Sequence, residues 1–212
     1  ADASQVFCGT ANVGNLQAYT VQTNAVAQVV PPSLTPVINW YDVSEGGTPL
    51  ETSTVLVSGN YYVSQTVNGC ESDRTAVTAT INPQPTITST LPGSTCSNPF
   101  SGTMVTISAT PSAGTVNWYT SETGGEPLPN EYPYFINGNS LSINDFASTT
   151  TYYAEAVDGE NCVSATRTAV IATLNPLPSP PTADASQVFC GTANVGNLQA
   201  SGANLQWYDV SE

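Results

Sequence analysis

The first eighteen residues, ADASQVFCGTANVGNLQA, return without a change at residues 183–200. A chain that restates itself in this way folds as units that can be copied, so one solution for the unit is a solution for the chain. Aligning the segments gives three copies: residues 1–83, residues 84–181, and the start of a third over residues 182–212. Each copy has a cysteine near its start (Cys8, Cys96, Cys190) and later a Trp-Tyr pair (Trp40-Tyr41, Trp118-Tyr119, Trp207-Tyr208). The first two copies share a Gly-Gly turn (SEGGTPL at 44–50, ETGGEPL at 122–128) and a Tyr-Tyr strand (NYYVSQTV at 60–67, TYYAEAVD at 151–158). Both then place a second cysteine, Cys70 or Cys162, and close on one phrase: DRTAVTATINPQP at 73–85 and TRTAVIATLNPLP at 166–178. A period near 90 residues is too long for a solenoid unit and suits a bead-like domain. The third copy stops at WYDVSE, inside a pattern that the first copy continues, so the chain is expected to be part of something longer.

Within each copy the side chains alternate. Val105, Ile107 and Ala109 share one strand face, and Tyr152, Ala154 and Ala156 another. Val170, Ala172 and Leu174 share a third, matched by Val77, Ala79 and Ile81. Turn residues such as PSAG, TGGEP, INGN and DGEN separate these runs, and no long stretch keeps an apolar stripe at helical spacing. Short alternating strands with a turn every ten or so residues predict an all-β fold of tandem β-sandwiches. Trp40 and Trp118 are expected to fill the sandwich cores, the alternative being a platform for stacking a sugar ring. The links INPQPT at 81–86 and LNPLPSPPT at 174–182 are proline-rich and predict semi-rigid spacers, hence an elongated row with few contacts between beads.

The first copy departs from this pattern. Twenty-one residues separate Ala18 from Trp40, whereas six separate Ala200 from Trp207. The extra stretch lies about residues 19–36, YTVQTNAVAQVVPPSLTP, which reads like a repeat ending. A splice between repeats or a genuine extra hairpin would both produce it.

Composition excludes several functions. There is no lysine or histidine, and Arg74 and Arg167 are the only cations against sixteen acids, for a net charge of −14. Such a chain repels nucleic acid and anionic membrane surfaces. No histidine or Ser-Lys pair is present to activate a nucleophile, and the acids sit in turns where solvation accounts for them, so no catalytic residue and no cofactor are expected. Calcium is the fairer alternative, with Asp158, Glu160 and Asn161 as oxygen ligands, but the first copy has VNGC where the second has DGENC. A zinc site has neither histidine nor a Cys-x-x-Cys to build on.

The two complete copies each hold two cysteines, 62 and 66 residues apart. Their equivalent places predict disulfides Cys8–Cys70 and Cys96–Cys162, each tying the start of a bead to its last hairpin; buried free thiols are the alternative. Disulfides place the chain in an oxidising compartment, hence outside the cell. Arg74 and Arg167 occupy one repeat position, three residues before Val77 and Val170 and on the opposite face. Each either makes a surface ion pair or forks onto a carboxylate or carbonyls and fixes the last strand to its neighbour.

The starting cysteine, the Val-x-Trp-Tyr strand, the Gly-Gly-x-x-Leu turn, TTYYAEA with Tyr152 (Tyr61 in the first copy) and the RTAV-x-AT-[IL]-NP ending together resemble the immunoglobulin-like repeats of giant Bacteroidota surface adhesins. The likeness extends to the repeats of adhesins from gliding flavobacteria. The resemblance spans essentially the whole chain. It implies an immunoglobulin-like or fibronectin-III-like sandwich, secretion by the type IX system, attachment at the outer membrane and a filament for surface adhesion and gliding motility. It supplies no catalytic residues. The implied partners are neighbouring repeats, outer-membrane machinery reached through other parts of the protein, and, if the beads bind a ligand, a surface polysaccharide. Two functions of different class follow: a structural repeat that extends a filament and bears load, or a module that itself binds polysaccharide.

Overall fold

The computed structural model describes residues 1–19, 36–97 and 102–209. The extra segment expected at 19–36 lies outside the described residues apart from its two end residues. The chain is all-β, with thirteen strands and two short 3-10 turns among the described residues. No described helix is long and apolar enough to cross a membrane.

The second repeat shows the sandwich most fully. Its strands are β6 (Ile87–Leu91), β7 (Gly93–Cys96), β8 (Val105–Pro111), β9 (Thr115–Tyr119), β10 (Tyr134–Asn137), β11 (Ser140–Ile143), β12 (Thr150–Val157) and β13 (Thr168–Asn175). One sheet runs β10-β11-β8-β6 and the other β7-β13-β12-β9. Between β6 and β7 the chain leaves one sheet for the other. Pro92 sits at the crossing, where its missing N–H costs no ladder bond. Gly93 follows because a Cβ there would collide with the Thr106 carbonyl oxygen of the facing sheet.

The alternating residues meet between the sheets. Val105, Ile107 and Ala109 from one side pack with Val116, Trp118, Tyr152, Ala154, Val170 and Ala172 from the other. Trp118 is fully buried, and its indole N–H has no acceptor, so packing alone holds the ring. With no exposed face, Trp118 cannot serve as a sugar platform.

Tyr152 lies edge-on to Tyr134 at 6.3 Å between ring centres. Burial, and then the neighbouring Tyr134, pushes its hydroxyl up from 10.0 to about 12. A raised acid pKa means that the folded state holds this proton more tightly than the unfolded chain does. Its stabilising contribution is therefore complete below pH 10.0 and is lost as pH rises toward 12. Melting temperatures measured from pH 8 upward should fall above about pH 10, and Tyr152→Phe should flatten that fall. An equally steep alkaline decline in the variant would refute this assignment.

In the first repeat, β1 (Ser4–Cys8), β2 (Val37–Tyr41), β3 (Gly59–Val67), β4 (Cys70–Glu71) and β5 (Thr75–Asn82) form one sheet of order β1-β5-β3-β2, with β4 beside β3. Against it lie irregular segments anchored by Val13 N–H to the Thr54 carbonyl and Leu56 N–H to the Ala11 carbonyl. These bury Val13, Leu16 and Leu56 with Trp40, Tyr61, Val63, Val77 and Ala79. The Tyr61 hydroxyl bonds both the N–H and the carbonyl of Val57, pinning the strand to the segment before it.

In both repeats the cysteine-bearing strand near the start, β1 or β7, runs parallel to the last. Cys8 lies opposite Asn82, and Cys96 opposite Asn175. Among the described residues, the named strands of one repeat join no sheet of the other.

Candidate functional site at the repeat junction

The parallel pairing decides where the cysteines sit. Cys8 is level with Asn82, the last residue of β5. Cys70 pairs with Val67 beyond the opposite end of the sheet, since β5 begins at Thr75 opposite Val63. The length of β5 alone puts roughly 23 Å between them, whereas a disulfide needs Cα atoms within about 7 Å. The same holds for Cys96, beside Asn175, and Cys162, beside the Val157–Val163 bridge. Neither of the expected within-bead bonds, Cys8–Cys70 or Cys96–Cys162, forms. The structure instead joins Cys8 to Cys162, 154 residues apart, with 5.4 Å between their Cα atoms. Cys70, Cys96 and Cys190 carry free, exposed thiols.

The bond therefore closes a junction between repeats and not a bead. The chain leaves the first repeat after Asn82, whose carbonyl accepts from the Gly9 N–H at 2.8 Å, one residue past Cys8. Two residues on, the Gln84 side-chain amide donates to the Val163 carbonyl at 2.9 Å, beside Cys162. On the second repeat the Asp158 carboxylate accepts from the Glu160 and Cys162 N–H groups, both at 2.9 Å. Its N–H donates to the Cys162 carbonyl, so this loop presents a buried sulfur from a fixed frame. One Asp158 oxygen, proposed above as a calcium ligand, is thus occupied by the loop's own backbone. Cys70→Ser and Cys96→Ser should each move the melting temperature by less than about 4 °C, because exposed positions without partners usually change stability by less than about 0.5 kcal/mol. A larger drop in a non-reducing melt would mean that these thiols are bonded.

Each repeat also carries an arginine clamp. Arg74 lies over the Tyr41 ring at 3.3 Å from its centre, and Arg167 over Tyr119 at 3.2 Å. Nη1 of Arg74 donates to the carbonyls of Val43 (2.9 Å) and Gly46 (2.7 Å). Nη1 of Arg167 donates to the equivalent carbonyls of Ser121 (3.0 Å) and Gly124 (2.6 Å). The Gly-Gly turns expose these oxygens because both glycines adopt left-handed φ: 64° and 71° at Gly46 and Gly47, 65° and 72° at Gly124 and Gly125. After each turn a leucine N–H, of Leu50 or Leu128, returns to the tryptophan carbonyl at 2.7 Å. The arginine thus ties the start of the last strand to the Trp-Tyr strand and its turn.

A carboxylate completes the clamp, and the two repeats supply it from different strands. In the second, Glu155 of β12 accepts from the Tyr119 hydroxyl at 2.8 Å and pairs with Arg167 Nε at 3.3 Å. In the first, serine (Ser64) occupies the Glu155 position, and Glu71 of β4 takes over. It accepts from Tyr41 at 2.8 Å and Ser64 at 2.5 Å, and lies 3.8 Å from Arg74 Nε. The bonds from Ser64 and then Tyr41 hold the Glu71 carboxyl below its ordinary value. Burial, and then Glu155, raises the Tyr119 hydroxyl. Sequence reasoning singled out both arginines but missed their tyrosine platforms and this exchange of carboxylates; the recurrence of Trp-Tyr with Gly-Gly and Arg was the signal available.

A family model for an Ig-like domain described as CHU_C associated matches residues 10–83 and again residues 84–176. Among curated proteins, none matches the chain in sequence. Among solved structures, the chain is similar to the titin I-band fragment I67-I69 at 12% identity and a TM-score of 0.35, covering 84% of this chain and 63% of that one. It is also similar to extracellular domains 3-5 of Drosophila OTK at 15% identity and a TM-score of 0.36, covering 66% of this chain and 51% of that one. The chain thus spans less than two thirds of either structure. Through both of its matched repeats the chain belongs to the family of CHU_C-associated Ig-like domains.

Proposed function

We propose that this chain is a structural repeat segment of a large bacterial cell-surface adhesin, of the kind used in gliding, in which the repeats extend the molecule and bear load. The reading divides the chain into repeats at 1–83 and 84–181 with a third beginning at 182. The observation that carries it is the covalent junction: Cys8–Cys162 fastens one repeat to the next across a proline-bounded link, an arrangement that transmits tension. Verbatim repetition of residues 1–18 at 183–200 supports it further, since a spacer needs copies and not variety. Clamps built from backbone carbonyls, a tyrosine face and a carboxylate are structural, and the reading assigns no catalysis to them. The proposed setting is the outer surface of a Bacteroidota cell, reached by type IX secretion, with the outer-membrane machinery contacted through other parts of the protein.

The test is in-frame deletion of this repeat pair from the parent protein, with filament length and attachment under flow measured on cells. The expected result is a shorter filament at the cell surface, with the affinity for the substratum retained. Loss of attachment at unchanged filament length, or saturable binding of the purified chain to polysaccharides on a glycan array, would move the function to a polysaccharide-binding module.

A further inference from the structure

Each repeat keeps its two cysteines at opposite ends of one sheet. The early cysteine, on β1 or β7, stands beside the last residue of the closing strand, as Cys8 does by Asn82 and Cys96 by Asn175. The chain departs for the next repeat from that same residue, so this is the trailing end. The hairpin cysteine stands beyond the other end of the closing strand, as Cys70 does opposite Val67 and Cys162 beside the Val157–Val163 bridge. That is the leading end. The junction between the two repeats joins the trailing cysteine of the first, Cys8, to the leading cysteine of the second, Cys162. Cys70 and Cys96 are the two positions left over, one leading and one trailing, and both are free and exposed.

We propose that Cys8–Cys162 is one rung of a disulfide ladder. In an array of these repeats, the early cysteine of each repeat bonds to the hairpin cysteine of the repeat that follows. Cys96 takes a hairpin cysteine from a following repeat, and Cys70 takes an early cysteine from a preceding one. The trailing end at Cys96 is built like the one already bonded. Ser97 N–H donates to the Asn175 carbonyl at 2.9 Å, as Gly9 N–H does to Asn82 at 2.8 Å. An Asn-Pro step then leads the chain away in both cases. One difference is that leucine (Leu177) occupies the Gln84 position, so the second junction lacks the amide-to-carbonyl bond and relies more on its disulfide. The inference stands on junction geometry and holds whether the array is a spacer or a binding surface.

Each rung forms when two thiols give up two protons and two electrons to a disulfide oxidant. With glutathione disulfide, the oxidant's S–S bond breaks, two glutathione thiols are released and the protein S–S bond forms.

In this chain the free trailing cysteines are Cys96 and Cys190, the third copy's counterpart of Cys8, and the free leading cysteine is Cys70. The experiment takes the full chain at about 1 mM, the order of effective concentration that a short tether supplies, and oxidises it with glutathione disulfide. Intermolecular bonds are then identified by mass spectrometry of unreduced peptides. Bonds from Cys70 to Cys96 or Cys190 should exceed like-type bonds (Cys70–Cys70, Cys96–Cys96, Cys96–Cys190) by about tenfold, since complementary ends discriminate and identical ends do not. Cys70→Ser should remove nearly all cross-links, and Cys190→Ser should leave Cys70–Cys96 as the main species. Like-type bonds as abundant as the mixed type would overturn the ladder. So would free thiols that stay reduced under conditions that re-form Cys8–Cys162.

Discussion

Arg167→Gln should lower the melting temperature of the second repeat by roughly 10 °C. The side chain is 11% exposed and its partner Glu155 15% exposed. Glutamine would abandon Glu155, the Ser121 and Gly124 carbonyls and the Tyr119 face together. Removing one partner of a fully buried ion pair costs about 3–5 kcal/mol, because the other charge stays unpaired. Partial exposure and the surviving Tyr119 hydroxyl bond to Glu155 reduce this to about 2 kcal/mol, and a domain of this size loses about 4–8 °C per kcal/mol. A surface ion pair alone would contribute only about 0–1 kcal/mol. Arg167→Lys should lose most of the same stability, since an ammonium neither stacks flat on a tyrosine nor forks between two carbonyls. Arg74→Gln should cost less, because Glu71 is 41% exposed. Calorimetry of the three variants checks the order. A change within about 2 °C for Arg167→Gln would return the residue to the surface-pair reading.

The strand faces were legible because alternation is local: Val105, Ile107 and Ala109 state their own pattern, and each ends in the core. Cysteine pairing is not local. Two cysteines at equivalent places in both complete copies fit bonds within a bead and bonds between beads equally well. What separates the two is the parallel run of β1 along β5, which carries Cys8 to Asn82 and away from Cys70. Nothing in the spacing of residues 8 and 70 records that direction. The clamp was legible in part. Arg74 and Arg167 recur and were noticed, but their carboxylate comes from β4 in one repeat and β12 in the other. Position-by-position alignment sets Ser64 against Glu155 and Glu71 against Val163, so the conserved chemistry is hidden by an exchange of strands.

Pulled from its two ends, the oxidised chain should extend only through residues outside the Cys8–Cys162 loop. The sequence alone predicted a clamp in each bead, which would make every bead yield a little. The observed bond has a different consequence. Tension entering near residue 1 reaches Cys8, crosses the sulfurs and resumes at Cys162, so the first repeat and the second up to its last hairpin cannot be pulled out while the bond holds. Reduction lets that segment unravel. The 154-residue separation then yields roughly 500 Å of contour at about 3.5 Å per extended residue. Two further rupture events should accompany it, one for each core. Closing so long a loop also removes unfolded-state entropy worth up to about 5 kcal/mol, so the oxidised chain should melt well above the reduced one. Cys8→Ser should behave under oxidising conditions as the wild-type chain does when reduced, in both force and heat, which separates this bond from any effect of reductant on Cys70 or Cys96. Oxidised traces that already show two full repeat unfoldings, or a Cys8→Ser chain indistinguishable from oxidised wild type, would remove the junction bond from the load path.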